Sequence, residues 1–199
     1  MGRTREFDRD QALQVSLKLF WQNGYSKTSL DDLLKEMGIQ NSSFYQAFGS
    51  KESLFVEVMT RYRQSIGAER LEILSSEKGS ARVILRRYYD HLINKASARG
   101  YPTGCFITST AATLTEKTPS VAEQVQISIG NVERAFESVL KRAKENREVS
   151  AHINTKKTAR ALLTFTYGIT VLSRANKSKK ELFATAMVFV DLILAEGSK

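Results

Sequence analysis

Apolar residues along the chain recur at three- and four-residue spacing rather than in alternation, which predicts helices throughout. Asp8, with Gln11 three residues on and Phe7 ahead of Ala12, makes a capping box and a hydrophobic staple, and starts a helix over about Arg9 to Gln22. Leu13, Leu17 and Phe20 line one face of it, with Val15 and Leu19 beside them, and Gly24 ends it. Thr28 is placed to cap a second helix, Ser29 to Met37, whose apolar stripe is Leu30, Leu33, Leu34 and Met37. Gly38-Ile39-Gln40 is a glycine-bearing turn of the length that joins the helices of a helix-turn-helix.

The third predicted helix, Asn41 to Phe48, has an unusual surface. If Phe44 and Phe48 point inward, a rotation of about 100° per residue turns Ser42 and Gln46 outward, with Ser43 and Tyr45 on the flanks. The exposed side is then amide, hydroxyl and phenol with no charge. Gly49 stops this helix, Ser50 caps the next, and Lys51 lies in its first turn, where a cation opposes the helix dipole unless an anion is near.

Six further helices are expected near 51–74, 81–98, 104–115, 119–146, 156–174 and 179–195, with Thr118-Pro119 and Ser178 with Glu181 as start signals. The last two are apolar over more than one face, which calls for cover from a second subunit. Their apolar runs are too short or too interrupted to span a bilayer; Asp191 sits inside one. No signal peptide precedes the first helix, so a soluble, cytoplasmic protein is expected. The single cysteine, Cys105, excludes an internal disulfide framework and suits a reducing compartment. Net charge is +9, yet residues 1–63 hold 9 Lys/Arg against 8 Asp/Glu, while the rest hold 21 against 13. Placed cations near the start, Arg3, Arg5, Lys27 and Lys51, therefore matter more than the total.

The stretch GYSKTSLDDLLKEMGIQNSSFYQAFGSKESLF resembles the DNA-binding domain of TetR-type transcriptional regulators, and the resemblance extends over roughly residues 5–60. It implies an all-α fold of about nine helices. Residues 1–50 would form a helix-turn-helix DNA-binding domain, and 51–199 a helical domain that binds a small-molecule effector and forms a homodimer through its last two helices. Asn41, Ser42, Ser43, Tyr45 and Gln46 would face the major groove of double-stranded DNA, Tyr45 and Lys51 would hold phosphates, and Thr28 with Ser29 would bind phosphate at the start of the second helix. Family members often carry Ser or Thr where Gln40 stands, so the start of the reading helix is less firmly capped here. Physically, asparagine and glutamine suit adenine, and tyrosine and lysine fix register on the backbone. The expected activity is repression of a two-fold symmetric operator, relieved by an effector.

For the effector cavity the candidates are Tyr88, Tyr89, Leu92, Cys105, Phe106, Ile107, Phe136, Phe165, Tyr167 and Arg174, on the central helices. Cys105 follows Gly104 at a predicted helix start, where the dipole can lower a thiol pKa. Some family members use a cysteine in a similar Gly-Cys setting, together with a lysine near the end of the penultimate helix, to sense electrophiles, and Arg174 stands in the comparable place. That alternative makes Cys105 a reactive thiol tuned by Arg174; the other reading is a small buried core cysteine. No metal spacing, phosphate loop or nucleophile elbow is present, so neither a cofactor nor an enzyme is expected, a thiol-dependent activity at Cys105 being the residual possibility.

Overall fold

The structure is a computed structural model, described here for residues 7–75, 78–95, 100, 102–113, 118–175 and 178–195. Its helices are α1 (Arg9–Asn23), α2 (Leu30–Met37), α3 (Asn41–Phe48), α4 (Lys51–Tyr62), α5 (Ala68–Ser75), α6 (Ala81–Lys95), α7 (Phe106–Ala111), α8 (Pro119–Glu145), α9 (Thr155–Arg174) and α10 (Lys179–Ala195). One π-helical turn, Arg63–Gly67, joins α4 to α5 without a break. The ten helices are therefore nine rods among the described residues, as the sequence implies, and no strand occurs there.

Local signals explain most boundaries. The Asp8 carboxylate accepts from the amides of Asp10 and Gln11 at 2.9 and 3.0 Å, and Gly24, at φ 82°, closes α1 with its N–H on Phe20 O. The second cap differs from expectation by one residue. Ser29, not Thr28, is the N-cap of α2: its hydroxyl accepts from Asp32 N at 3.0 Å, and the Asp32 carboxylate accepts from Ser29 N at 2.9 Å. Thr28 is buried instead, donating to Gly24 O at 2.8 Å and tying the α1–α2 turn to itself. Of the predicted helix over 104–115, residues 114–115 lie outside the described residues and α7 forms Phe106–Ala111; its start is delayed where Gly104 (φ 93°) sits so close to α9 that a Cβ would lie 3.2 Å from Thr170 O.

Packing follows two apolar clusters. One gathers Leu13, Leu17, Phe20 and Trp21 of α1, Leu33, Phe44 and Phe48, the α4 residues Leu54, Phe55, Val58 and Met59, and Phe106 with Val121 and Val125. The other gathers Leu85, Tyr88 and Tyr89 of α6, Phe136 and Leu140 of α8, Leu162 and Ile169 of α9, and Ala186 and Val190 of α10. Ile129, partway along the 27-residue α8, packs against both. α4 is thus shared: its apolar face completes the core of the N-terminal bundle, while polar contacts hold it and the π turn after it to α8, through Glu52 with Ser120 and Arg63 with Gln124. Arg9 with Glu57 and Arg61 with Asp10 (2.6 Å) lash α1 to α4 from outside.

The π turn changes what α5 presents. An extra residue in a helical turn rotates everything after it back by about 100°. Tyr62 and Arg70, eight residues apart, thereby take the relation of residues seven apart, within about 20° on one face. Both point inward: Tyr62 is 2% and Arg70 6% exposed.

Candidate nucleic-acid interface and buried cavity

The geometry of α3 is the one its pattern predicts. Phe44 and Phe48 are buried, with ring centroids 5.6 Å apart, and anchor the helix. Asn41, Ser42, Tyr45 and Gln46 are exposed, and Ser43 is half-buried. Tyr45 stands edge to face against Phe44 at 5.5 Å, which steadies its ring while the residue stays 51% exposed. Gln40 makes no side-chain capping bond, so the first-turn amides of α3 have no local acceptor from it. The face offers donors and acceptors on a rod fixed by two buried rings.

Around that face the placed cations and caps divide. Ser50 caps α4 by accepting from Ser53 N at 3.0 Å, and Lys51 in the first turn holds its ammonium 4.5 Å from the Tyr25 ring centroid. Partial burial pushes the Lys51 pKa below its ordinary value, so an anion at this spot would recover interaction that the cation lacks. Ser29 is exposed but already engaged with Asp32, its hydroxyl donating at 2.6 Å. The phosphate role expected of Thr28 does not fit its side chain, which is buried and bonded inward. Arg3 and Arg5 lie outside the described residues.

Behind the N-terminal bundle, a cavity opens between the π turn, α5, α6, α8 and α9, with about 620 Å³ of empty space counting its mouth. Of the sequence candidates, Tyr88, Leu92, Cys105, Ile107 and Tyr167 line it. The other aromatic candidates pack in the core. Tyr89 is held by Leu162 O and Thr166 and packs edge to face on Phe165; Phe165 stacks on Phe189 at 4.0 Å; Phe136 packs on Tyr88; Phe106 is wedged between Trp21, Phe55 and Tyr62.

Cys105 and Arg174 do not pair. The Arg174 guanidinium donates to Ser109 Oγ at 2.7 Å and to Gln22 O at 3.2 Å, bracing α9 against α7 and the end of α1. The cation at the sulfur is Arg70, whose Nη1 lies 3.8 Å from Cys105 Sγ and donates to the Tyr62 hydroxyl at 3.3 Å. Tyr62 Oη and Cys105 Sγ are 3.5 Å apart. Burial pushes the Cys105 thiol up, but Arg70, the Tyr62 hydroxyl and the backbone and hydroxyl of Thr108 together hold it below its ordinary value. Burial pushes Tyr88 up to about 12, so it is a neutral donor at physiological pH. Arg174 does reach a second cavity, between the end of α1, α7 and α9, which shares Cys105 with the first.

Arg70 and Tyr62 escaped sequence reasoning. In a solvated-looking stretch, AERLEIL, an arginine between two glutamates reads as surface, and a π turn has no periodic signature. Among the described residues no group of three or more His, Cys, Asp and Glu side chains could hold a metal, and no helix is long and apolar enough to cross a membrane.

Comparison with known proteins gives the same picture. Residues 12–58 match the model for bacterial regulatory proteins of the tetR family, and residues 79–188 the tetracyclin repressor-like C-terminal domain. The chain is 30% identical over 185 residues to the HTH-type transcriptional repressor ComR of Escherichia coli K12, covering 93% of this chain and 88% of that one. It is 30% identical over 150 residues to an uncharacterized HTH-type regulator, YezE of Bacillus subtilis 168, covering 75% and 77%. Among solved structures, a cysteine-substituted form of the TetR family regulator CifR in complex with 26-base-pair operator DNA superposes with a TM-score of 0.86 at 28% identity, covering 98% of this chain and 100% of that one.

Proposed function

Since the chain belongs to the tetR family of bacterial regulatory proteins, we propose that it is a DNA-binding transcriptional regulator, a repressor, that reads its operator with the outward face of α3 and is released by a small molecule held in the cavity beneath α4. One observation carries this reading. Asn41, Ser42, Tyr45 and Gln46 project together from a helix whose opposite side, Phe44 and Phe48, is locked in the core. Such a face matches the donor and acceptor pattern of base edges, and Lys51 beside it suits a phosphate. Ser43 flanks the contact, and Ser29 meets the backbone at the start of α2. The CifR complex with operator DNA supports the same use of the fold.

Two copies are needed for a two-fold symmetric site, with the reading helices in successive major grooves about 34–36 Å apart. The apolar side chains left exposed on α9 and α10, Val171 (57%), Leu172 (43%), Val188 (61%) and Leu192 (61%), form the surface that a second copy covers. Residues 1–50 act as the head and 51–199 as the effector and dimerisation body, with α4 as the lever between them. Ligand and operator affect each other by the same factor. The protein works in the cytoplasm, where its DNA is, and no catalytic step is assigned to it.

Selection of bound duplexes from a random pool tests the reading. A single two-fold motif should emerge, and the winning duplex should bind at least about a thousandfold tighter than random sequence. Equal affinity for random and selected duplexes would remove sequence-specific regulation.

A second reading has its own observation: Cys105 lies on the wall of both cavities beside a guanidinium, a setting for a thiol that senses electrophiles. Full alkylation of Cys105 with unchanged operator affinity would dismiss it.

A further inference from the structure

Among the described residues the Arg70 guanidinium is a buried cation whose hydrogen-bonding capacity is incompletely met. It is 6% exposed, and among the described residues no carboxylate pairs with it. Its Nη1 is turned to the Tyr62 hydroxyl at 3.3 Å and the Cys105 sulfur at 3.8 Å, and its Nε–H is sealed from water without an acceptor. A buried cation in this condition is costly unless something negative completes its shell.

A second cation reinforces the first. Arg63, also in the cavity lining, donates among the described residues to the neutral groups of Gln124 and Thr60 (3.1 Å). Among the described residues no aspartate or glutamate lines the cavity. Leu71, Leu92, Ile107 and Val132 add apolar surface to the lining, beside the hydroxyls of Ser128, Thr166 and Thr170. Arginine forks and apolar side chains in one lining describe a receptor for an amphiphilic anion. The planar, bidentate fork favours a carboxylate. The π turn is what makes this possible, by bringing Arg70 onto the face of Tyr62.

We infer that the cavity takes a small organic carboxylate, its carboxyl group against Arg70 with Arg63 nearby and its apolar body against Leu92 and Val132. The inference rests on the cavity being the effector site, and it names the class of effector. Binding completes the Arg70 shell and draws on the Tyr62 hydroxyl, which leads directly to α1. No covalent step is involved.

The test uses the full-length protein and its selected operator duplex. Benzoate, phenylacetate, cinnamate and octanoate are titrated by calorimetry beside their primary amides, which match them in shape but carry no charge. At least one acid should bind roughly ten- to a hundredfold tighter than its amide. Arg70→Met should erase that preference and leave the ligand-free protein at least as stable to heat, because it replaces an unpaired buried cation with an apolar chain of similar length. Arg70→Lys should keep part of it. The acid-to-amide comparison on the unsubstituted protein holds even if a variant does not fold.

Acids and amides that bind alike, or a panel in which no acid binds, overturn the inference. If acids and amides release the operator equally, the cavity is an effector site for another class of compound. If acids bind through Arg70 yet leave operator affinity unchanged, the anion site stands and the effector role of the cavity falls.

Discussion

The Trp21 indole on α1 stands edge to face on the Tyr62 ring, centroids 5.3 Å apart at 90°, and the Tyr62 hydroxyl accepts a hydrogen bond from the Arg70 guanidinium. One side chain therefore separates the first helix of the DNA-reading bundle from the cation in the cavity wall. Tyr62→Phe keeps the ring contact and removes the hydroxyl. Ligand-free operator affinity should stay within about twofold, while the factor by which a ligand weakens it should fall roughly fivefold or more, given typical coupling energies. Emission from Trp21, the single tryptophan, should shift on ligand binding in the parent protein and less in the variant. Equal ligand-induced release in both proteins would place the coupling elsewhere.

On the DNA face, base-reading and backbone-holding side chains separate by their signatures. Gln46→Ala should relax preference at one base pair, costing about 1–3 kcal/mol against the best site and little against others. Lys51→Ala should weaken all duplexes alike and reduce the slope of log affinity against log salt by about 1. Binding to a library of single-base variants at several salt concentrations distinguishes them. A uniform loss from the Gln46 variant would reverse the assigned roles.

The cap of α2 titrates. Hydrogen bonds from Ser29 hold the exposed Asp32 carboxyl below the usual carboxylate range, so folding favours its ionised form. The stabilisation is complete above the ordinary carboxylate pKa and is lost as pH falls through the lowered value. Ser29→Ala should lower the melting temperature by roughly 2–4 °C at neutral pH. Because that variant has already lost the cap, its deficit should shrink towards pH 3. A deficit independent of pH would mean that Asp32 does not act through this cap.

Val188 and Leu192, each 61% exposed, lie four apart on one face of α10. Leu192→Arg should shift the protein from dimer to monomer in sedimentation, keep its helical circular dichroism, and cut affinity for the full two-fold site far more than for an isolated half-site. A variant that remains dimeric would show that α10 is not the paired surface.

The helix-turn-helix was legible because its determinants are local. Asp8 opens α1 with its own carboxylate, Gly24, Gly38 and Gly49 close helices through their own backbones, and the spacing of Phe44 and Phe48 orients α3 whatever surrounds it. The Thr28 and Ser29 exchange shows the limit: both are good caps, and the choice fell to Ser29 because the Thr28 hydroxyl finds Gly24 O inside the fold. The cavity was less legible for the same reason. Tyr88 and Tyr89 are equal in sequence, yet one faces the void and the other the core.

Sequence alone thus settled the helices, their order and the uncharged face of α3, since cap chemistry and apolar spacing act within a few residues. Tertiary structure alone decided that Arg70 rather than Arg174 meets Cys105, because a one-residue gain in the π turn rotates α5 and the sulfur's neighbours arrive from helices far apart in the chain. Periodicity can say which side of a helix is buried; only packing says what that side touches.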